Sequence, residues 1–319
     1  MSIRLLKKSD LHQVNGIISR AFTQGRLDDG YAYTDVPMCK PEFLAMYYAQ
    51  CPQGCFVLEE SGHIQGAVFC HVWGKTGWFG PLVLAPEKHH LGLGKQLTQH
   101  AVSFLKGSGC VVIGMEVNPR SSRNIGFYGK MHFIPSVLSI DMIKPVPAML
   151  PAVQKSPHQL VYYSRLSKSE RLEFLQHASH LTKAVMPTID YKPVIQAIDE
   201  IRQGESVLCM LRGTPVGLAV MQTEPSLVEE QNAMLRLISF VAHPKTPASY
   251  IQFFLHDFLD LAKSASLDRI MIRVPMYSNR LFKILLRNNY RVVSSDMRFV
   301  LEGYADEQIG SFFHVNRWV

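Results

Sequence analysis

Four prolines stand close together near the middle of this chain of 319 residues, at positions 145, 147, 151 and 157. Proline at this density interrupts helices and removes amide donors that a sheet needs. The order of predicted strands and helices begins again after this segment, which indicates duplication of one unit. We therefore predict an α/β chain of two tandem domains, residues 1–146 and 158–319, joined by a linker over residues 147–157. Two unrelated α/β domains are the alternative.

Two pairs of landmarks support the duplication. Pro86 and Pro244 each end a predicted strand just before a helix, and Phe133 and Tyr290 each follow the last predicted helix of their half. Nearly equal stretches of chain separate the members of each pair. In each half we predict a mixed, mostly antiparallel sheet flanked by helices. The strands predicted in the first half are 3–6, 55–59, 64–73, 78–85, 110–117 and 133–143, the last finishing that domain, and the helices are 11–22, 41–50, 91–105 and 123–131.

Composition limits the function classes. The formal net charge is +7, but the lysines and arginines are scattered and form no dense basic block, so nucleic acid is not a predicted partner. No run approaches the ~20 apolar residues of a membrane span, and the N-terminus lacks an apolar signal-peptide stretch, so a cytoplasmic location is the default expectation. The six cysteines lack paired metal-ligand spacing. We predict neither a disulfide framework nor a metal site.

The strongest signal for chemistry is a strand, a glycine loop and a helix within residues 82–95. The predicted strand ends at Pro86, the loop carries Gly92 and Gly94, and Lys95 follows on the helix. Glycine lets the backbone approach a ligand closely, and free amides at a helix start form an anion site together with the helix dipole. A diphosphate is a natural ligand for such a loop. A Gly-x-Gly pair alone, however, also punctuates many loops.

This run resembles the GCN5-related N-acetyltransferase superfamily, whose signature is a proline followed at fixed spacing by an Arg or Gln and two small residues. The chain has Pro86, His89, Gly92 and Gly94 at these positions, with His89 replacing the usual Arg or Gln. The resemblance implies that the loop binds the pyrophosphate of acetyl-CoA and that the preceding strand pairs with the pantetheine arm. The cofactor-binding residues that it implies are Leu82, Val83, Leu84, His89, His90, Leu91, Gly92, Leu93, Gly94 and Lys95.

A second signal contains Glu116, near the end of a predicted strand, and Tyr128, on a short predicted helix. Amine acetylation needs a proton acceptor for the amine and a proton donor for the leaving thiolate, and a carboxylate and a tyrosine suit these roles. The run resembles the superfamily's next segment, and its Glu–Tyr spacing resembles that of ribosomal-protein alanine acetyltransferases. The resemblance implies Glu116 as general base and Tyr128 as general acid, with Ser121 and Asn124 also at the cofactor. The alternatives are a solvent-facing Glu116 and a Tyr128 that only packs.

The second half lacks both signals. Pro247 removes an amide where the first half offers one, and Leu285 stands at the position that matches Tyr128. We predict a degenerate domain of the same type that binds no cofactor, with a divergent but functional site as the alternative. Because its apolar runs indicate a maintained core, we expect it to pack on the first domain and complete a wall of the acceptor cleft.

The resemblance assigns the acceptor side to the first two helices and the loop between them, here Gln24–Met38. This stretch carries residues that can hold a cationic amine, namely Asp28, Asp29, Tyr31, Tyr33 and Asp35, and Trp73 and Trp78 can line the same cleft. A polar surface loop is the alternative. We predict direct transfer from acetyl-CoA to an amine-bearing small molecule or peptide. The rival functions are a non-catalytic acyl-CoA-binding sensor and an acyltransferase with another acyl group or acceptor.

Overall fold

The computed structural model describes residues 1–33, 35–149, 156–228, 234–304 and 314–316. The strands are β1 (Ser2–Leu5), β2 (Cys55–Glu60), β3 (His63–Trp73), β4 (Thr76–Leu84), β5 (Val112–Val117), β6 (Phe133–Pro145), β7 (Gln159–Tyr162), β8 (Gly204–Leu211), β9 (Thr214–Gln222), β10 (Met234–Ala242), β11 (Arg269–Pro275), β12 (Arg291–Leu301) and β13 (His314–Asn316). The helices are α1 (Leu11–Asp28), α2 (Pro41–Gln50), α3 (Leu93–Gly107), α4 (Ser122–Gly129), α5 (Lys168–Val185), α6 (Lys192–Glu200), α7 (Ile251–Ser264) and α8 (Asn279–Arg287).

Hydrophobic periodicity predicts most of these elements, but the end of α1 is a correction. The helix was expected to stop at Phe22 before a loop, whereas it continues to Asp28. The chain that returns from the helix explains the extra turns. Ser19 and Thr23 form hydrogen bonds with the carbonyl and the amide of Val36, so the returning segment lies along the helix and stabilises it.

The strands described form one 13-stranded sheet in the order β1-β2-β3-β4-β5-β12-β6-β11-β10-β9-β8-β7, with β13 paired to β10. Among the strands that the structure describes, only β4–β5 and β10–β11 are parallel pairs, and they occupy corresponding places in the two halves. Helices connect the strands in both halves and pack against the sheet. The predicted fold class, α/β with a mixed and mostly antiparallel sheet in each half, is confirmed.

The two halves exchange their last long strands. We expected β6 to finish the first domain, yet it pairs with β11 and β12 of the second half. In return β12 lies between β5 and β6, with Arg298 opposite Glu116 and Phe299 opposite Met115. Each half is therefore closed by a strand from the other. Residues 150–155 of the predicted linker lie outside the described residues.

The apolar interior also crosses between the halves. Met46, Trp73 and Trp78 of the first half are buried in one cluster with Tyr191 and Val194 of the second. Separate clusters lie under the remaining sheet of each half. The shared cluster makes the interface a hydrophobic core rather than a polar contact between tethered domains.

All six cysteines are free thiols, and five of them are buried. Among the helices that the structure describes, none is both long and apolar enough to cross a bilayer. Over the same residues, no group of three or more histidine, cysteine or acidic side chains is arranged to hold a metal ion.

Candidate active site

The glycine loop adopts the geometry of a helix start. β4 ends at Leu84, a single 3-10 turn follows at Pro86–Lys88, and α3 begins at Leu93, two residues later than predicted. Gly92 is the N-cap with φ 77°, a left-handed conformation that favours glycine. No side chain from the described residues caps this end. The first-turn amides therefore remain available to an anion.

The other predicted loop residues surround this helix start. His89 is half-buried, and burial together with the charge of Arg123 lowers its pKa. His90 has a positive φ of 63°, and its ring lies 6.3 Å from that of His89. Leu91 and Lys95 are exposed. The His89 ring thus stays largely neutral, and Lys95 adds a formal positive charge in the first turn of α3.

β4 and β5 separate next to this loop. They are paired only from Thr76–Val112 to Trp78–Gly114, although both strands continue further. Residues 82–84 keep their pairing with β3 on one side. On the other side, no strand among the described residues is paired with them. This part of β4 is an open edge, which can accept an extended ligand as an additional strand.

Tyr128 lies on α4, where the strands separate. It is 9% exposed and packs between the rings of Phe79 and Phe133, with centroid distances of 6.3 and 6.0 Å. Burial raises its pKa well above the usual value, so the hydroxyl stays protonated. A buried, protonated phenol beside the open edge can donate a proton or a hydrogen bond to a leaving group.

The other two predicted residues of this segment lie at the start of α4. Ser121 is the N-cap, and its buried hydroxyl has no hydrogen-bond partner among the described residues. Asn124 lines the same cavity as Tyr128.

Glu116 is buried in an ion-pair cluster, which excludes the solvent-facing alternative. Arg273 contacts one carboxylate oxygen at 2.5 Å, and Arg298 and Ser139 donate to the other at 3.0 and 2.7 Å. Burial acts to raise the pKa of Glu116, but the two guanidinium groups outweigh it and the pKa is lowered. The carboxylate is therefore held ionised, and it is a weaker proton acceptor than a free glutamate.

Arg273 and Arg298 come from β11 and β12, so the second half supplies both cations. Arg273 also forms a two-point pair with Asp141, at 2.8 and 2.7 Å, and contacts Asp296 at 2.8 Å. The sequence analysis missed this cluster. The available signal was an arginine inside the otherwise apolar strand Arg269–Pro275, since a buried guanidinium requires carboxylate partners.

A cavity of about 570 Å³ opens between the two halves at these residues. Its lining in the first half includes Ile18, Phe22, Arg26, Asp29, Phe43, Tyr47, His71, Trp73, Leu82, Met115, Glu116, Val117, Asn124 and Tyr128. The second half contributes Tyr191, Val194, Ile198, Gln222, Ser226, Leu227, Arg236, Ile238, Arg273 and Asp296. The second half thus forms one wall of the cavity.

The predicted acceptor residues divide into two groups. Asp29 and Trp73 line the cavity. Tyr31 instead accepts a hydrogen bond from Asn118, and Asp28 forms an ion pair with Arg123, so both hold the loop against the β5–α4 connection. Tyr33 is 88% exposed and Trp78 is buried in the shared core. The segment therefore lines the cavity with some of its residues and contacts the β5–α4 connection with others, and Thr34 within it lies outside the described residues.

The corresponding place in the second half has a different structure. A 3-10 turn at Ala248–Tyr250 precedes α7, and the stretch after Pro244 contains no glycine. Leu285 is fully buried on α8 in the core of that half. Among the described residues, the glycine loop and the tyrosine of the first half therefore have no counterparts at this place in the second half.

Comparison with known proteins identifies a family match for part of the first half and a similar fold for nearly the whole chain. Residues 17–133 match the acetyltransferase (GNAT) family. A Pyrococcus horikoshii protein described as an acetyltransferase is similar in structure over 99% of this chain and 94% of its own, with a TM-score of 0.65 and 14% identity. A GCN5-related N-acetyltransferase from Sphaerobacter thermophilus covers 94% of each chain, with a TM-score of 0.59 and 10% identity.

A tandem GNAT protein from the clavulanic acid biosynthesis pathway is also similar, with a TM-score of 0.60 and 11% identity over 96% of this chain and 99% of its own. No curated protein matches the chain. At these identities the solved structures establish the shared two-unit fold and leave the reaction to be argued from the residues.

Proposed function

We propose that this chain is a tandem member of the GNAT superfamily and that its first half, where residues 17–133 match the family, transfers an acetyl group from acetyl-CoA directly to an amine. The observation that carries the proposal is the open edge of β4 between the glycine loop and Tyr128. An extended cofactor with a phosphate group at one end and a reactive thioester at the other suits this layout. The acceptor would be an amine-bearing small molecule or peptide that enters the cavity between the halves.

The proposed cofactor contacts run along the chain from β4 to α3. The backbone of Leu82–Leu84 would pair with the pantetheine arm, and the amides of Leu91–Lys95 would hold the pyrophosphate with help from the charge of Lys95. We propose further contacts with the cofactor from four neighbouring residues, His89, His90, Ser121 and Asn124. The thioester would then lie beside Tyr128.

In the proposed reaction the amine nitrogen attacks the thioester carbonyl, the new C–N bond forms, and the C–S bond breaks. Tyr128 donates its proton to the leaving sulfur and takes a proton from solvent before the next turnover. The amine proton goes to Glu116, directly or through a water, and from there to solvent. Because Arg273 and Arg298 weaken Glu116 as a base, most of the rate enhancement would come from holding the amine and the thioester together.

The test is release of free coenzyme A when the protein receives acetyl-CoA and a panel of primary amines. We expect release that depends on one class of amine and an acetylated product of matching mass. Binding of acetyl-CoA without release above the amine-free rate, for every amine, would replace the enzyme with an acyl-CoA sensor. Propionyl-CoA and an alcohol panel in parallel reactions test the choice of acyl group and acceptor.

The base role needs a separate experiment. If Glu116 accepts the amine proton, Glu116→Gln should depress turnover most at low pH, where deprotonation of the amine is hardest. A pH–rate profile with an unchanged shape would remove Glu116 from the proton path and leave it as an anchor of the ion-pair cluster.

A further inference from the structure

His71 is a buried polar group in the cavity that the proposed reaction does not use. It lies on β3, is 1% exposed and lines the cavity. Among the described residues, the ring nitrogens have no side-chain partner, and a backbone contact with Gly80 acts to raise the pKa of the ring. Buried polar atoms in folded proteins nearly always have partners, so a ring nitrogen without one at a cavity wall points to a ligand.

The ring is neutral at physiological pH. Burial lowers the pKa of His71 to about 4. A neutral imidazole carries one N–H donor and one nitrogen acceptor. The acceptor nitrogen can therefore receive a hydrogen bond from an amine or ammonium group, which a protonated ring could not do.

The surroundings of His71 are aromatic. Its ring is stacked on Trp73 at 5.4 Å with an interplanar angle of 4°, and it meets the edge of Tyr47 at 5.3 Å. Tyr191 and Val194 of α6 face the same cavity from the second half. Such a wall favours a flat, apolar ligand body, because stacked and edge-on ring contacts add to the burial of apolar area. A polyamine would bring several positive charges to a cavity in which two of the three lining carboxylates already pair with Arg273.

The cavity also holds a carboxylate for a single cationic group. Asp29, Glu116 and Asp296 line it together with the aromatic residues, and Arg273 already pairs with Glu116 and Asp296, which leaves Asp29 for the ligand. One positive charge on an aromatic body thus meets both kinds of lining, and the ring faces of Trp73 and Tyr47 attract a cation as well.

We propose that His71 binds the acceptor by accepting a hydrogen bond from its amine, and that this acceptor is a primary amine on an aromatic body. The proposal rests on the proposed function only in taking the cavity as the acceptor site. It makes His71 a binding and specificity residue contributed by β3, a strand to which the sequence analysis assigned no site histidine.

The test is a calorimetric titration with tryptamine in the presence of saturating coenzyme A, so that no turnover occurs. We expect saturable binding to the wild type and about tenfold weaker binding to His71→Phe, the loss that corresponds to one buried hydrogen bond. His71→Gln should recover part of the affinity. Exposed His100, which packs on the Phe56 ring at 4.4 Å outside the cavity, gives the matched control His100→Phe with unchanged affinity.

A measurement on the wild type keeps the proposal testable if the variant does not fold. In nitrogen-15 spectra, the ring signals of the histidine that does not titrate between pH 5 and 8 should shift on addition of tryptamine. Absence of tryptamine binding, unchanged ring signals, or equal affinity in a folded His71→Phe would each overturn the proposal. Acetylation of spermidine but not of tryptamine would overturn this acceptor class and leave the proposed reaction intact. Binding of tryptamine without release of coenzyme A from acetyl-CoA would overturn the proposed reaction and leave the binding role of His71 intact.

Discussion

At the scale of single residues, Glu116 links the two halves electrostatically. Its carboxylate and that of Asp141 belong to the first half, whereas Arg273 and Arg298 belong to the second. Each charge is buried, and each has a partner of opposite sign. Removing one charge leaves its partner desolvated without compensation, which costs more than the intact pair contributes.

We predict that Glu116→Gln lowers the free energy of unfolding at pH 7 by about 3–5 kcal/mol, the range for breaking a buried ion pair. The folded-state pKa of Glu116 is lowered from its ordinary value of 4.5. Its contribution to stability is therefore complete above pH 4.5 and is lost as the pH falls through the lowered folded-state value. Denaturant titrations should show the wild type and the variant converging in that acidic range.

The control for this experiment is Glu87→Gln. Glu87 is 58% exposed in its side chain and lies 3.9 Å from Arg20, so its loss should cost less than about 1 kcal/mol. Equal effects of the two substitutions would contradict the account of Glu116.

The second residue-scale prediction concerns Tyr128. Tyr128→Phe keeps the packing between Phe79 and Phe133 and removes only the hydroxyl. Turnover should fall about a hundred- to ten-thousand-fold, the usual contribution of a general acid, with little change in acetyl-CoA affinity. Steady-state kinetics and a separate binding titration distinguish the two effects. Normal turnover with the preferred acceptor would make Tyr128 a packing residue.

Residue types were easier to predict than residue environments. The glycine loop before α3 and the short helix that carries Tyr128 follow from local spacing. The partners of Glu116 and the surroundings of His71 do not, because Arg273 and Tyr191 reach them from the distant half of the chain. Local sequence contains no direct signal for such pairing.

At the scale of elements, the site depends on how β4, the glycine loop and α3 follow one another. α3 starts where an unpaired edge of β4 ends, so its free amides and that edge lie next to each other in sequence. Gly94 lies in the first turn, and a Cβ there would meet Leu84 and Phe127 at ordinary contact distance, 3.5 Å. A larger side chain at this position is therefore tolerated by the fold but placed where the phosphate is proposed.

We predict that Gly94→Asp abolishes acetyl-CoA binding, since it adds bulk and negative charge at the proposed pyrophosphate site. The same substitution at Gly107, at the other end of α3 with open space around its Cα, is the matched control and should leave affinity unchanged. Calorimetry measures both, and circular dichroism checks that both variants fold. Undiminished affinity in a folded Gly94→Asp variant would show that acetyl-CoA binds at a site other than the glycine loop.

Element types and their order were predictable because apolar residues recur with helix or strand periods. The pairing of β6 and β12 could not be predicted in the same way. Each strand comes last in its own half, so each was expected to pair within that half. The same alternation of side chains is compatible with a partner strand from either half. Only the complete chain distinguishes the two pairings.

At the scale of the whole molecule, strand exchange makes the halves interdependent. β12 separates β5 from β6, and the cluster around Trp73 and Tyr191 buries apolar surface from both halves. The halves therefore form one folding unit in spite of the prolines between them.

We predict that a fragment ending at Pro147 is insoluble or unfolded. It would lack β12, the partner of β5, and would expose β6, which has no partner in its own half. Unpaired strands with apolar residues promote aggregation. Co-expression with residues 158–319 should restore a soluble complex. A fragment that is soluble, folded and active on its own would contradict the proposed interdependence.

We propose one acetyl-CoA site in a chain with two similar halves, formed by the glycine loop of the first half. Isothermal titration of the full-length protein with acetyl-CoA measures the number of sites. We expect one equivalent bound per chain, because Pro247 and the glycine-free loop before α7 replace the anion site in the second half. Binding of two equivalents per chain, or of none, would overturn this proposal.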